Sequence, residues 1–121
     1  KQKNTDMLFA DSYGSSININ VTDRLPDEYN ITAHNYSKEM DEKEIRSIFP
    51  NYTITYSEKI YVGGEKAFIC ESYGMFKNLS MMQCSFFHKN KAYGITCAAE
   101  NVRFKNYKTL FKSAIKSIHL L

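Results

Sequence analysis

Between Tyr52 and Ala99 the chain carries four runs of strand-like composition separated by short turns, and this succession constrains the fold more than any other feature. Tyr52, Ile54 and Tyr56 alternate with Thr and Ser, and Ile60-Tyr61-Val62 then leads to Gly63-Gly64, a dipeptide suited to the positive φ of a tight hairpin. The next run spans 66–76, a turn at Lys77-Asn78-Leu79 precedes a run over 81–88, and Lys89-Asn90-Lys91-Ala92 turns the chain into 93–99. Parallel neighbours need a crossover of about a dozen residues or more, so such short connections make an antiparallel meander the economical reading.

The register follows from the turns. A two-residue loop at Asn90-Lys91 sets His88 opposite Tyr93, Phe86 opposite Ile95, Cys84 opposite Cys97 and Met82 opposite Ala99, all on one side of the sheet. A three-residue loop at 77–79 adds Phe76, Gly74, Ser72, Cys70 and Phe68 to that side. The reverse side carries Ala92, Gly94, Thr96 and Ala98 beside Met81, Gln83, Ser85 and Phe87, small and mixed enough for a helix to approach.

The flanks complete the pattern. Met7–Ala10 and the strictly alternating 16–21 flank a turn-rich spacer and predict a hairpin, which Pro26 follows. Met40, Ile45, Ile48 and Phe49 recur near the helical period, and Asp41 and Glu44 have the offset of a capping pair, so a helix is expected from about 37 or 41 to 49, stopped by Pro50. Phe104, Tyr107, Phe111, Ala114, Ile115 and Ile118 recur at three- and four-residue intervals, predicting an amphipathic helix over about 104–116, and 117–121 would add a terminal strand. The class is α+β, in the order hairpin, helix, four-strand meander, helix, short strand. Residues 1–6 read as a polar N-terminal segment and 7–121 as one domain, which 121 residues at 43% hydrophobic content suffice to close around a single core.

Charge is unevenly placed. Residues 1–60 hold seven basic and ten acidic side chains, and residues 61–121 nine basic and three acidic, so the surface is expected to be bipolar although the whole chain is only +3. That net charge, and the lack of an RNP-type segment, argue against nucleic acid as a partner. Arg103, Lys105, Lys108, Lys112 and Lys116 form a basic stripe on the last helix, the candidate dock for an acidic protein surface or for anionic lipid.

Catalytic and metal constellations are thin. Cys70, Cys84 and Cys97 lack C-x-x-C spacing and read as buried thiols, with a Cys84–Cys97 cross-strand disulfide as the alternative. His34, His88 and His119 fall in three different elements, and His88 lies about 13 Å along its strand from Cys84, too far for a nucleophile pair. The acids Asp23, Asp27, Glu28, Glu39, Asp41, Glu42 and Glu44 read as solvated, and Glu71, alone in the meander, is expected on the side away from the cysteines. Gly63-Gly64 precedes a strand rather than a helix, so it is no phosphate loop. No metal or cofactor is expected. Five Asn-X-Ser/Thr triplets, at Asn20, Asn30, Asn35, Asn51 and Asn78, fit a composition rich in Asn, Lys, Ile and Tyr.

The order of elements resembles the PsbP-like fold. The resemblance rests on Tyr13-Gly14-Ser15-Ser16-Ile17-Asn18-Ile19, Gly63-Gly64-Glu65-Lys66-Ala67-Phe68, Lys91-Ala92-Tyr93-Gly94-Ile95-Thr96 and the helix from Tyr107 to Ile118. That fold is shared by extrinsic photosystem II proteins, a Ran-binding nuclear-import factor and small bacterial lipoproteins. It implies a three-layer helix/antiparallel sheet/helix sandwich, usually non-enzymatic and often tethered at an exported face of the bacterial envelope. The polar start at 1–5 suits such a mature exported chain, with a membrane tether upstream. The expectation is therefore a non-catalytic, extracytoplasmic, monomeric domain, the soluble part of a lipoprotein, acting in protein–protein interaction. The alternative is a small-ligand-binding module with an aromatic-lined pocket between sheet and helix.

Overall fold

The computed structural model describes residues 3–10, 14–23, 43 and 45–120. Six strands, β1 (Lys3–Ala10), β2 (Ser16–Asp23), β3 (Thr53–Val62), β4 (Glu65–Tyr73), β5 (Leu79–His88) and β6 (Lys91–Glu100), precede a C-terminal helix (Phe104–Lys116). They form one antiparallel sheet in the order β1-β2-β6-β5-β4-β3. The meander from β3 to β6 is as expected, and the N-terminal hairpin closes onto β6, from Ser16 opposite Ala98 to Asp23 opposite Lys91. β1 begins at Lys3, inside the stretch read as a polar N-terminal segment, because an edge strand tolerates the polar residues 3–6 while its backbone pairs with β2.

Two faces result. On the first, Ile17, Ile60, Val62, Ala67, Ile69, Met82, Cys84, Phe86, Ile95 and Cys97 are buried beneath Phe104, Phe111 and Ile115 of the helix. Full burial of each large apolar side chain stabilises by roughly 1.5–3 kcal/mol, which makes this cluster the main core. On the second, Tyr52, Ile54, Phe68 and Cys70 are buried, with Ile45, Phe49 and Met75 packed against them. Lys43, Ile45 and Arg46 are helical, and the amides of Ile48 and Phe49 donate to the Ile45 carbonyl just before Pro50. The rest of the helix expected from 37 or 41, residues 37–42 and 44, lies outside the described residues.

Four features differ from the sequence expectations, each for a local reason. The β5–β6 loop is Lys89-Asn90, with φ of 46° and 63°, not Asn90-Lys91. Two non-glycine residues in the left-handed region close the tight hairpin there, and every pair moves by two: His88 faces Lys91, Phe86 faces Tyr93, Cys84 faces Ile95 and Met82 faces Cys97. A shift of two preserves the faces, so the grouping of Met82, Cys84 and Phe86 with Ile95 and Cys97 stands.

In β4 the faces are exchanged. The strand ends at Tyr73, and residues 74–78 connect it to β5 instead of 77–79. Gly74 (φ 94°) passes so close to the Asn51 backbone that a Cβ would sit 2.0 Å from its carbonyl oxygen, and this contact stops the strand three residues early. Ile69 therefore opposes Cys84 and Glu71 opposes Met82, which turns Phe68, Cys70 and Ser72 to the second face and Glu71 to the first.

β3 carries a bulge between Ile54 and Tyr56. The extra residue reverses the alternation, sending Ile54 to the second face and Ile60 and Val62 to the first, so one strand feeds both cores. Finally, residues 117–120 form no strand: the Ser117 amide donates to Ser113 and Ala114, and Ile118 and Leu120 pack onto the first-face core as irregular chain.

Candidate functional site

The helix runs back along the first face from the end of β6, and its 13 residues span about 20 Å. Its basic stripe is largely engaged within the chain. Lys108 Nζ lies 2.8 Å from Glu71 Oε1, Lys112 Nζ lies 3.4 Å from Glu58 Oε2, and Arg103 pairs with Glu100 at 3.3 Å. Glu58 also accepts the Tyr56 hydroxyl at 2.7 Å, so Tyr56 and Lys112 hold the Glu58 carboxyl below its ordinary range, and the Glu58 carboxylate raises the Tyr56 phenol above its own. Lys105 and Lys116 stand exposed.

Cys84 and Cys97 are buried neighbours rather than an opposed pair, and all three cysteines are free thiols. Burial pushes the thiols of Cys84 and Cys97 up to about 12, leaving both protonated and unreactive. Among the described residues no group of three or more His, Cys, Asp or Glu side chains converges on a metal-binding point. His34 and the acids Asp27, Glu28, Glu39, Asp41, Glu42 and Glu44 lie outside the described residues, and Asp23 is held 2.6 Å from Lys91, which lowers its pKa. Asn51 and Asn78 are exposed in turns and Asn20 is half-buried in β2, while Asn30 and Asn35 fall outside the described residues.

The opposite end of the first face holds a cavity of about 360 Å³. β2 and β6 supply Ile19 and Ile95, the β5–β6 pair supplies Phe86, His88 and Tyr93, and the segment after the helix supplies Ile118, His119 and Leu120. Phe86 and Tyr93, directly opposed across β5 and β6, stack with centroids 5.0 Å apart and planes within 5°. That parallel pair is a consequence of the two-residue shift, since Phe86 was expected opposite Ile95. His88 closes one side, tilted 58° to Tyr93, and its Nδ1 lies 2.5 Å from Glu65 Oε2. An ionised carboxylate only accepts, so that contact places a proton on Nδ1 and fixes the ring's orientation.

His88 and His119 therefore line one cavity although they lie in different elements. The signal available beforehand was topological: a helix starting at the far end of β6 and folding back along the sheet delivers the residues after it to the β5–β6 turn. Gly63 makes room for that segment, because a Cβ there would sit 2.9 Å from Leu120 Cδ1. Chemically the cavity offers apolar walls, one flat aromatic stack and two imidazoles, with no Lys, Arg, Asp or Glu among the described residues that line it.

No protein-family model matches the chain, and no curated protein matches it in sequence. Solved structures do. A crystal structure of a Pseudomonas aeruginosa protein of unknown function superposes with a TM-score of 0.70 at 11% identity, covering 99% of this chain and 83% of its own. The solution structure of cyanobacterial PsbP from Synechocystis superposes with a TM-score of 0.70 at 9% identity, covering 88% of this chain and 68% of its own. The chain thus has the PsbP-like, α+β fold that its element order resembles, and at these identities the fold is what is shared.

Proposed function

We propose that this is a non-catalytic binding domain that works through the cavity between its sheet and the segment after its helix, taking a small, mostly apolar ligand. One observation carries the reading: residues from β2, β5, β6 and the C-terminal segment converge on about 360 Å³ of space beside the buried core. That volume falls in the range of small-molecule sites, roughly 300–1,000 Å³, and the mixture of apolar walls with a few polar groups is their usual chemistry. The extracytoplasmic setting belongs to the same proposal and rests on the likeness of fold alone.

The competing idea, an acidic protein partner on the basic stripe, has less to support it. Arg103, Lys108 and Lys112 already face carboxylates of the same chain, which leaves Lys105 and Lys116 to carry it. An amide-resolved NMR titration with a panel of small aromatic and aliphatic compounds separates the two. At least one compound should bind more tightly than about 1 mM, a free energy near −4.1 kcal/mol, with shifts centred on Ile19, Tyr93, Ile95, Ile118 and Leu120. Shifts scattered over the surface, or none, would refute the proposal.

A further inference from the structure

We infer that the ligand class for this cavity is an aromatic monocarboxylate, a planar ring system carrying one acidic group; the inference rests on the cavity being the binding site. Two observations carry it.

The first is shape. Phe86 and Tyr93 stand as a parallel stack, Phe86 sealed in the core and Tyr93 half-buried at the cavity wall. Ile19, Ile95, Ile118 and Leu120 complete the lining around that stack. A flat ring set against Tyr93 extends the stack and gains offset-stacking energy, on the order of 0.5–1.5 kcal/mol beyond its area. A flexible chain gains only the area.

The second is polarity. Among the described residues, the lining holds no carboxylate to receive an ammonium group and no Arg or Lys to clamp a phosphate. Its polar rim is two imidazoles, and Glu65, the nearby acid, is occupied by Nδ1 of His88. An imidazole N–H donates to a carboxylate oxygen, and residues 61–121, which supply every lining residue but Ile19, hold nine basic and three acidic side chains. A single carboxylate at the imidazole rim, with its ring inward, satisfies both ends of the site.

The experiment compares 2-naphthoate, octanoate and 2-naphthalenemethanol on the full chain by NMR titration, with His119→Ala and Tyr93→Leu as variants. His119 is exposed, so its replacement leaves the core intact, and the wild-type amide spectrum serves as the check on folding for both variants. Naphthoate should bind at least tenfold more tightly than either comparator, and each variant should weaken it about tenfold, the loss of one charge-assisted hydrogen bond or one stacking partner. Equal binding of octanoate or of the alcohol at the same amides would overturn the ligand class and leave the cavity as a site. Naphthoate affinity unchanged in His119→Ala would overturn the imidazole rim. No response at the cavity from any of the three would overturn both the class and the site.

Discussion

The β3–β4 and β5–β6 hairpins solve one steric problem with different residues. Each reverses the chain in two residues with both φ angles positive, 57° and 85° at Gly63 and Gly64, 46° and 63° at Lys89 and Asn90. Glycine takes that conformation at little cost, asparagine tolerates it, and lysine has no such allowance. The first turn is therefore declared by its composition. The second is imposed on its residues by the strands, whose pairing of Phe86 with Tyr93 outweighs a local penalty of about 1 kcal/mol. Side-chain packing, not turn chemistry, selects the register of β5 against β6.

That contrast can be broken at either hairpin. The largest effect is expected for Gly63→Ala, where left-handed strain adds to a collision with Leu120; a loss of about 1–2 kcal/mol should appear as a lower urea midpoint. The same change should disturb ligand binding, since Leu120 lines the cavity. Lys89→Gly should act in reverse, relieving strain and raising stability by about 0.5–1 kcal/mol with an unchanged urea dependence. A loss of stability there would mean that Lys89 does not occupy the turn. The smallest effect at neutral pH concerns the thiols. Were Asn90-Lys91 the loop, Cys84 would face Cys97 and mild oxidation would close a bridge; with Ile95 and Met82 opposite them, three thiols should remain countable after oxidation and unfolding. Because burial raises both thiols to about 12 from 9.0, the folded state keeps protons that the unfolded chain releases. This contribution to stability is complete below about pH 9 and lost as pH rises towards 12, and a Cys97→Ala variant should show a shallower decline.

The class, the meander and the amphipathic helix were readable in the sequence because each depends on a period that one face of one element displays. What escaped depended on pairs of elements. The bulge between Ile54 and Tyr56 is invisible to an alternation that looks regular, yet it divides β3 between two cores. The close approach of Gly74 to Asn51, which shortens β4 and exchanges its faces, joins segments that share no pattern. The cavity escaped for the same reason: His88 and His119 line one space only once the helix has folded back, and Tyr93 joins Phe86 only in the register that packing selects.

The place of the N-terminal hairpin beside β6 has a consequence for how the chain comes into being. Asp23 and Lys91, bonded at 2.6 Å across β2 and β6, are 68 residues apart, so synthesis must run through β6 before β2 meets its second neighbour. Closing so long a loop is entropically costly, and pairings of this separation slow folding. Until then β2 presents an open edge with unpaired amides and carbonyls, competent to pair with another nascent copy. The newborn chain is therefore most exposed to self-association in the interval between completing its first hairpin and receiving its last strand.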